Sequence, residues 1–192
     1  GLEDFRWHYS NKDLSTMFLE HMGEVNDVRL MLTLAARQPG FELLTWIGET
    51  EHKADYDFVW LAGRSSKTSL IPDGYCVLKT PRGNAHLFLE LDRGKSASKR
   101  FKEKVLAYQE HYRSGAYFKR YGARTMRVIT VVPSTPRLAT LKQAAEAADP
   151  EQQFVNQFWF TTQADLHEET ILNAPIWQVA GRAGKWPLIS SA

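Results

Sequence analysis

Three carboxylates lie close together around one predicted β-hairpin, and their spacing is the strongest chemical signal in the sequence. Two apolar runs flank a four-residue turn at 81–84 whose composition is typical of a hairpin. If the hairpin closes symmetrically about that turn, Asp73 faces Asp92 across the two strands. Cross-strand partners and residues two apart on one strand share a face of a sheet. Asp73, Glu90 and Asp92 are therefore expected on one face.

Three carboxylates this close repel one another, so they need a cation, a shared proton or a basic side chain nearby. Mg²⁺ accepts one or two protein carboxylates and takes its other ligands from water and substrate phosphate. Asp73 and Glu90 are candidate ligands for Mg²⁺ or Mn²⁺, and Asp92 is a candidate ligand or water-orienting group. Turn and strand-exit preferences are the alternative explanation for Asp73 and Asp92. Glu90 lies inside an apolar strand, where an unpaired charge is expensive to bury.

The helix that follows the hairpin offers a cation for this cluster. At 100° per residue, Lys104 and Tyr108 are neighbours on the flank that faces the sheet. Their i,i+4 spacing lets the ammonium and the phenol reach one point. Lys104 is the candidate transition-state cation and Tyr108 its partner. The alternative is that Lys104 extends past the sheet edge into solvent while Tyr108 packs in the core.

Charge is distributed unevenly along the chain. The segment from Arg93 to Arg127 holds eleven basic and two acidic residues, a net charge of +9, within a protein of net charge +2. Tyrosines and a phenylalanine are interleaved with these charges, a combination that nucleic-acid-binding surfaces use for phosphates and bases. The alternative is a solvated helix face with its aromatic residues in the core. The candidate DNA contacts are Arg93, Lys99, Arg100, Lys119 and Arg120.

Hydrophobic periodicity predicts the elements that must position these residues. Helices are predicted at 13–37, 96–113, 137–148 and 165–172, and strands at 41–47, 55–61, 74–80, 85–92, 126–132 and 154–162, with a polar loop at 63–69. This order predicts an α/β fold, a sheet covered by helices on both faces. We expect one domain over 13–180, with tails at 1–12 and 181–192.

Composition excludes several classes of protein. With 192 residues, 43% hydrophobic and 24% charged, the chain is neither disordered, collagen-like nor a coiled coil. The lone Cys76 excludes an intramolecular disulfide and a cysteine-based zinc site. No apolar run reaches the ~20 residues of a membrane span, and no signal peptide is visible, so we expect a cytoplasmic protein with no membrane partner. The start at Gly1 indicates a processed chain, with residues expected upstream.

These residues together resemble the PD-(D/E)XK nuclease superfamily, whose fold is restriction-endonuclease-like. The resemblance rests on Ile71-Pro72-Asp73, on Glu90-Leu91-Asp92, on the αβββαβ order with C-terminal additions, and on Lys104 to Tyr108, which is similar to the QxxxY element of exonuclease-like members. It implies a central mixed β-sheet flanked by helices. It also implies that Asp73 and Glu90 bind Mg²⁺ or Mn²⁺, and that a lysine two residues after Glu90 assists catalysis.

The sequence is also similar to the replication-relaxation proteins of plasmids and integrative elements. That likeness rests on segments within residues 20 to 135: His21 with Val25 to Arg29, Pro72 to Gly74, Phe88 to Gly94, Lys104 to Tyr108, and Arg127 to Val132. It implies DNA as a partner, and replication or conjugation proteins as further partners. Members usually carry an N-terminal winged-helix region, and none is visible here.

Position 92 departs from the nuclease pattern, because it is Asp where an active enzyme usually has Lys. One reading is an active metal-dependent DNA nuclease in which Arg93, Lys104 or another cation from elsewhere in the chain replaces that lysine. The second is a catalytically inactive nuclease-fold module that binds DNA or a replication or transfer partner. A third is that buried arginines relieve the acids and the domain contacts only protein.

Overall fold

The computed structural model of the protein describes residues 16–94 and 97–190. The predicted tail 1–12, the predicted helix start at Asp13, Lys95 of the basic segment and the last two residues of the predicted C-terminal tail lie outside the described residues.

A seven-stranded mixed sheet forms the centre of the fold. Its strands stand in the order β1-β4-β5-β6-β7-β8-β9. Strands β1, β4 and β5 are antiparallel, β5, β6 and β7 are parallel, and β8 and β9 return antiparallel. The bounds are β1 Glu42–Gly48, β4 Gly74–Thr80, β5 Gly83–Leu91, β6 Arg127–Val132, β7 Phe158–Thr162, β8 Trp177–Val179 and β9 Lys185–Trp186. A separate two-stranded ribbon pairs β2 (Asp57–Val59) with β3 (Thr68–Leu70).

Helices cover both faces of the sheet. Their bounds are α1 Thr16–Ala35, α2 Glu49–Ala54, α3 Ser98–Arg113, α4 Ala116–Tyr121 and α5 Thr135–Glu146. Helix α1 packs on one face together with the C-terminal segment, through residues such as Leu32 and Leu172. Helices α3, α4 and α5 pack on the other face, through residues such as Val105 and Leu141. The predicted central mixed sheet flanked by helices is confirmed.

The central strand β6 is largely apolar because both faces of the sheet are covered there. Strand β6 is buried at every position from Val128 to Val132. Its fully buried Thr130 pairs in register with Glu90 of β5. The basic helix α3 buries the apolar stripe Phe101, Val105 and Tyr108, together with the polar residues Gln109 and His111. No helix within the described ranges combines the length and the apolar character needed to cross a bilayer.

The hairpin register is shifted by two residues from the predicted one. Thr80 pairs with Gly83, so the turn is tighter than expected, and the Thr80 hydroxyl both donates to the Gly83 carbonyl and accepts from the Arg82 amide. The predicted pairing of Asp73 with Asp92 is therefore wrong, since the Asp73 amide bonds the carbonyl of Leu89. A shift of two residues preserves the face on which each side chain points.

Four local features differ from the prediction. The segment 49–54 is helix α2 and 116–121 is helix α4, and neither was expected. The polar loop at 63–69 includes the start of β3. The predicted helix at 165–172 is instead a short 3₁₀ turn, Gln163–Asp165, followed by irregular turns. Short polar segments fold according to their neighbours, because their own helix or strand propensity is weak.

Candidate active site between β4, β5 and α3

The three predicted acids line one open cleft beside the carboxyl end of β5. Asp73 directly precedes β4, Glu90 lies in β5, and Asp92 follows β5. The cleft has a volume of about 210 Å³, and its lining residues are Asp73, Glu90, Leu91, Asp92, Arg100, Phe101, Lys104 and Thr130. The cleft therefore combines carboxylates from two adjacent strands with two cations from the first half of α3.

Glu90 is buried at the base of this cleft, with 5% of its surface exposed. Lys104 donates to Oε2 of Glu90, and the Tyr108 hydroxyl donates to Oε1 at 2.6 Å. The structure thus brings Lys104 and Tyr108 to one point, as their spacing predicted. Burial raises the pKa of Glu90 to about 7, against the opposing effect of Lys104 and with a further rise from Asp73.

Lys104 keeps its positive charge in this setting. Burial acts to lower the pKa of Lys104, and the negative charges of Glu90 and Asp73 more than reverse that effect, so its pKa is raised. The positive charge of Lys104 therefore acts on both carboxylates, Glu90 and Asp73.

Asp73 has a different environment from Glu90, although both are buried. Its Oδ2 accepts the Leu91 amide at 2.6 Å, and its Oδ1 lies 3.3 Å from Nε2 of His21 in α1. Burial acts to raise the pKa of Asp73, but the His21 hydrogen bond, the Lys104 charge and the Leu91 amide lower it below its ordinary value. The hydrogen bond to Asp73 raises the pKa of His21. Two neighbouring carboxyls with pKa values pushed apart are typical of acid-base sites.

Asp92 lies at the edge of the cleft and is held by a different helix. Arg137 of α5 binds it through two parallel bonds, Nε to Oδ1 and Nη2 to Oδ2, each 2.7 Å long. The Gly94 amide also donates to Oδ1 at 2.7 Å. The hydrogen bond to Asp92 raises the pKa of Arg137. This arrangement fixes the strand exit to α5, which agrees with the strand-exit alternative that the sequence offered for Asp92.

The oxygen donors in the cleft suit a hard divalent cation. Within the described ranges, no three or more His, Cys, Asp or Glu side chains form a group that could hold a metal. Mg²⁺ needs only one or two protein carboxylates, and Asp73 and Glu90 supply them. The hydroxyl of Thr130 lines the same cleft and is fully buried without a hydrogen-bond partner. Lys104 would compete with such a cation for Glu90.

The five predicted DNA contacts divide into two groups. Arg93 pairs with Glu20 and Glu24 of α1, and Arg120 pairs with Asp55 and Asp57. The exposed residues Lys99, Arg100 and Lys119 form no ion pair with any described acid, and Arg100 lines the cleft.

Sequence reasoning missed three residues of the site: His21, Thr130 and Arg137. His21 had a detectable signal, since it continues the stripe of Val25, Val28 and Leu32 on α1 as its one polar member. Two acids of α1, Glu24 and Asp27, line a different cleft.

Comparison with known proteins gives one match. A family model described as replication-relaxation matches residues 4–126, which include Asp73, Glu90, Asp92, Lys104 and Tyr108. No curated protein and no solved structure matches the chain. Since the matched region covers more than half of the 192 residues, the chain belongs to the replication-relaxation family, which points to a role in the replication or transfer of plasmids or mobile elements.

Proposed function

We propose that this protein processes DNA during plasmid or mobile-element replication or transfer, as a divalent-metal-dependent phosphodiesterase with a restriction-endonuclease-like core. One observation carries the proposal: two buried carboxylates from adjacent strands, Asp73 and Glu90, share an open cleft with Lys104. The order of α1, β1, β4, β5, α3 and β6, with β6 parallel to β5, is compatible with the αβββαβ order of that fold.

Folding alone does not explain this pair of acids. Burying like charges next to each other is costly, and apolar residues at the same positions would give an equally stable or more stable fold. Perturbed pKa values in a cleft are a feature of functional sites. The cost is therefore best explained by a ligand that both carboxylates bind.

Five residues in or beside the cleft have a role in this proposal. Asp73 and Glu90 would hold Mg²⁺ or Mn²⁺, an ion that makes a water molecule nucleophilic near neutral pH and stabilises charge on phosphate oxygens. Lys104 stabilises the negative charge that develops on the phosphate, in place of the lysine that is absent at position 92. Tyr108 orients Glu90 through its hydrogen bond. Arg100 binds a neighbouring phosphate of the DNA backbone.

The test is cleavage of supercoiled plasmid DNA and of single-stranded DNA with Mg²⁺ or Mn²⁺. We expect cleavage by the native protein and a loss of at least about 100-fold in Asp73→Asn and in Glu90→Gln. Glu103→Gln is the matched control, because Glu103 lies on α3 and pairs with Arg64 away from the cleft lining. Native protein that binds these DNAs and cleaves none of them would refute the nuclease.

A catalytically inactive DNA-binding module is the second candidate, and a specific observation favours it. Arg137 binds Asp92 at the position where a catalytic lysine is expected, and Glu90 has protein donors on both oxygens. This candidate predicts DNA affinity that falls steeply with salt and is unchanged in Glu90→Gln. An affinity that does not change with salt concentration would exclude DNA as the partner. The partner would then be a replication or transfer protein.

A further inference from the structure

The β2–β3 ribbon carries a row of exposed aromatic rings. Tyr56, Phe58 and Trp60 alternate along the first strand and its flanks, and they are 49%, 48% and 57% exposed. Alternate residues of a strand point to the same face and lie about 7 Å apart. The ribbon therefore presents three flat side chains in line on its outer face.

The inner face of the ribbon is anchored, so this orientation is fixed. Val59 and Leu70 are buried in the core shared with α3. Asp57 also points inward, where its Oδ2 lies 3.4 Å from the His111 ring and accepts from the Tyr121 hydroxyl. A half-buried ribbon normally places polar residues on its outer face. The three outward rings add nothing to the core, and exposed aromatic rows of this kind mark binding surfaces.

Positive charge accompanies the rings. The Lys67 ammonium lies 3.6 Å from the centre of the Phe58 ring and 5.9 Å from that of Trp60. Ion pairs join the ribbon to the basic segment at two places, Arg64 to Glu103 of α3 and Arg120 of α4 to Asp55. The aromatic row is therefore attached to the two helices that carry most of the +9 charge.

We propose that this outer face is a stacking platform for single-stranded DNA. The proposal deepens the proposed function, since it takes DNA as the partner and assigns it a second contact outside the cleft. Flat rings beside cations bind unpaired bases and their phosphates without sequence preference. In a duplex the base faces are stacked inside, so only unpaired bases can use this surface. The cross-strand partner of Phe58 is Ser69, and Lys67, which directly precedes β3, lies over the Phe58 ring. A polar and a charged neighbour favour bases over an apolar protein surface as the partner.

The test compares variants of the full chain in binding to a fluorescent 20-nucleotide oligothymidine and to a duplex of the same length. Replacing both Phe58 and Trp60 with alanine is expected to weaken binding to the single strand by at least about 20-fold. Each base stacked on an aromatic ring contributes about 5- to 150-fold to the affinity. Affinity for the duplex is expected to change by less than about 3-fold. The matched control, Leu30→Ala with Leu44→Ala, removes two exposed apolar side chains elsewhere.

Two further variants separate stacking from general apolar contact. Phe58→Leu with Trp60→Leu keeps apolar area and removes the rings, so it is expected to lose as much affinity as the alanine pair. Trp60→Phe keeps a ring, so it is expected to retain affinity while the quenching of tryptophan emission by oligothymidine falls. Circular dichroism and urea unfolding establish that each variant is folded.

Native affinity of the alanine pair for oligothymidine would overturn the platform. Full affinity in the leucine pair would also overturn it, and would identify the face as an apolar docking surface for protein. If duplex binding and cleavage by the cleft persist in either case, the proposed function stands and only the platform fails. If the native protein binds no form of DNA, both fail together.

Discussion

Glu90 and Asp92 lie two residues apart, and yet they receive their cations from different helices. Lys104 of α3 reaches Glu90 as a single flexible ammonium, whereas Arg137 of α5 holds Asp92 with a rigid two-point fork. A lysine binds a carboxylate as a single point charge, whereas the planar fork of an arginine binds it at two points. The chemistry proposed for this cleft therefore centres on Glu90 and Asp73, while Asp92 stabilises the fold.

Replacing Arg137 tests this division of roles. Arg137→Ala leaves Asp92 charged and buried without its partner, so we expect the free energy of unfolding to fall by about 3–5 kcal/mol. Lys142→Ala is the matched control on the same helix, since it removes a surface i,i+4 pair with Glu146 worth about 0.3–0.5 kcal/mol. Urea unfolding measures both. Equal losses in the two variants would show that the Asp92 pair is not structural.

At the scale of elements, the hairpin and α3 could be predicted from the sequence because their hydrophobic patterns are strong and local. The error of two residues in register did not move Glu90 to the wrong face, since the side chains of a strand alternate with a period of two. The contacts of His21 and Arg137 could not be predicted, because each joins segments far apart in the chain. The β2–β3 ribbon was also missed in part, because its strands are three residues each and depend on α3 for burial.

We expect Asp57 to hold the ribbon in place. Because Asp57 titrates, the free energy of unfolding is expected to depend on pH. Burial acts to raise the pKa of Asp57, but the His111 ring 3.4 Å from its Oδ2 and the charge of Arg120 lower the pKa below its ordinary value. Asp57 therefore stabilises the fold above the ordinary aspartate pKa of about 3.9, and that contribution is lost as the pH falls through the lower folded-state pKa.

We expect Asp57→Asn to lower the free energy of unfolding by about 1–3 kcal/mol at pH 7. The difference from the native protein is expected to shrink as the pH falls from 5 to 2, because the native Asp57 becomes protonated. Urea unfolding across this range measures the difference. Asp55→Asn is the control, since its side chain is 84% exposed. If the difference in free energy of unfolding between the native protein and Asp57→Asn stays constant with pH, the charge of Asp57 does not stabilise the fold.

At the scale of the whole molecule, a net charge of +2 conceals a +9 segment and a −7 remainder. Part of that positive charge is paired within the fold. Arg93 pairs with Glu24 of α1, and Arg120 pairs with Asp55, just before β2, and with Asp57 in β2. The surface left for phosphate contacts is thus smaller than the sequence indicated. Among the predicted DNA contacts, it comprises Lys99, Arg100 and Lys119.

Salt dependence tests this division of charge. Each phosphate contact contributes about 0.7–0.9 to the slope of log K against log salt, so we expect alanine at Lys99, Arg100 and Lys119 together to reduce the slope by about 2–3. Arg120→Ala is expected to leave the slope unchanged and to lower stability instead. Fluorescence anisotropy at several salt concentrations measures both slopes. A slope that responds to Arg120 and not to the triple variant would reverse the assignment.

The cleft itself is tested most directly by a crystal of the protein soaked in Mn²⁺, with the metal located by its anomalous scattering. We expect a peak between the carboxylates of Asp73 and Glu90, with Lys104 displaced from Oε2 of Glu90, and no such peak in Glu90→Gln. A saturating soak with no peak there, and with Lys104 still bound to Glu90, would contradict the metal site and leave the inactive DNA-binding module as the function of this fold.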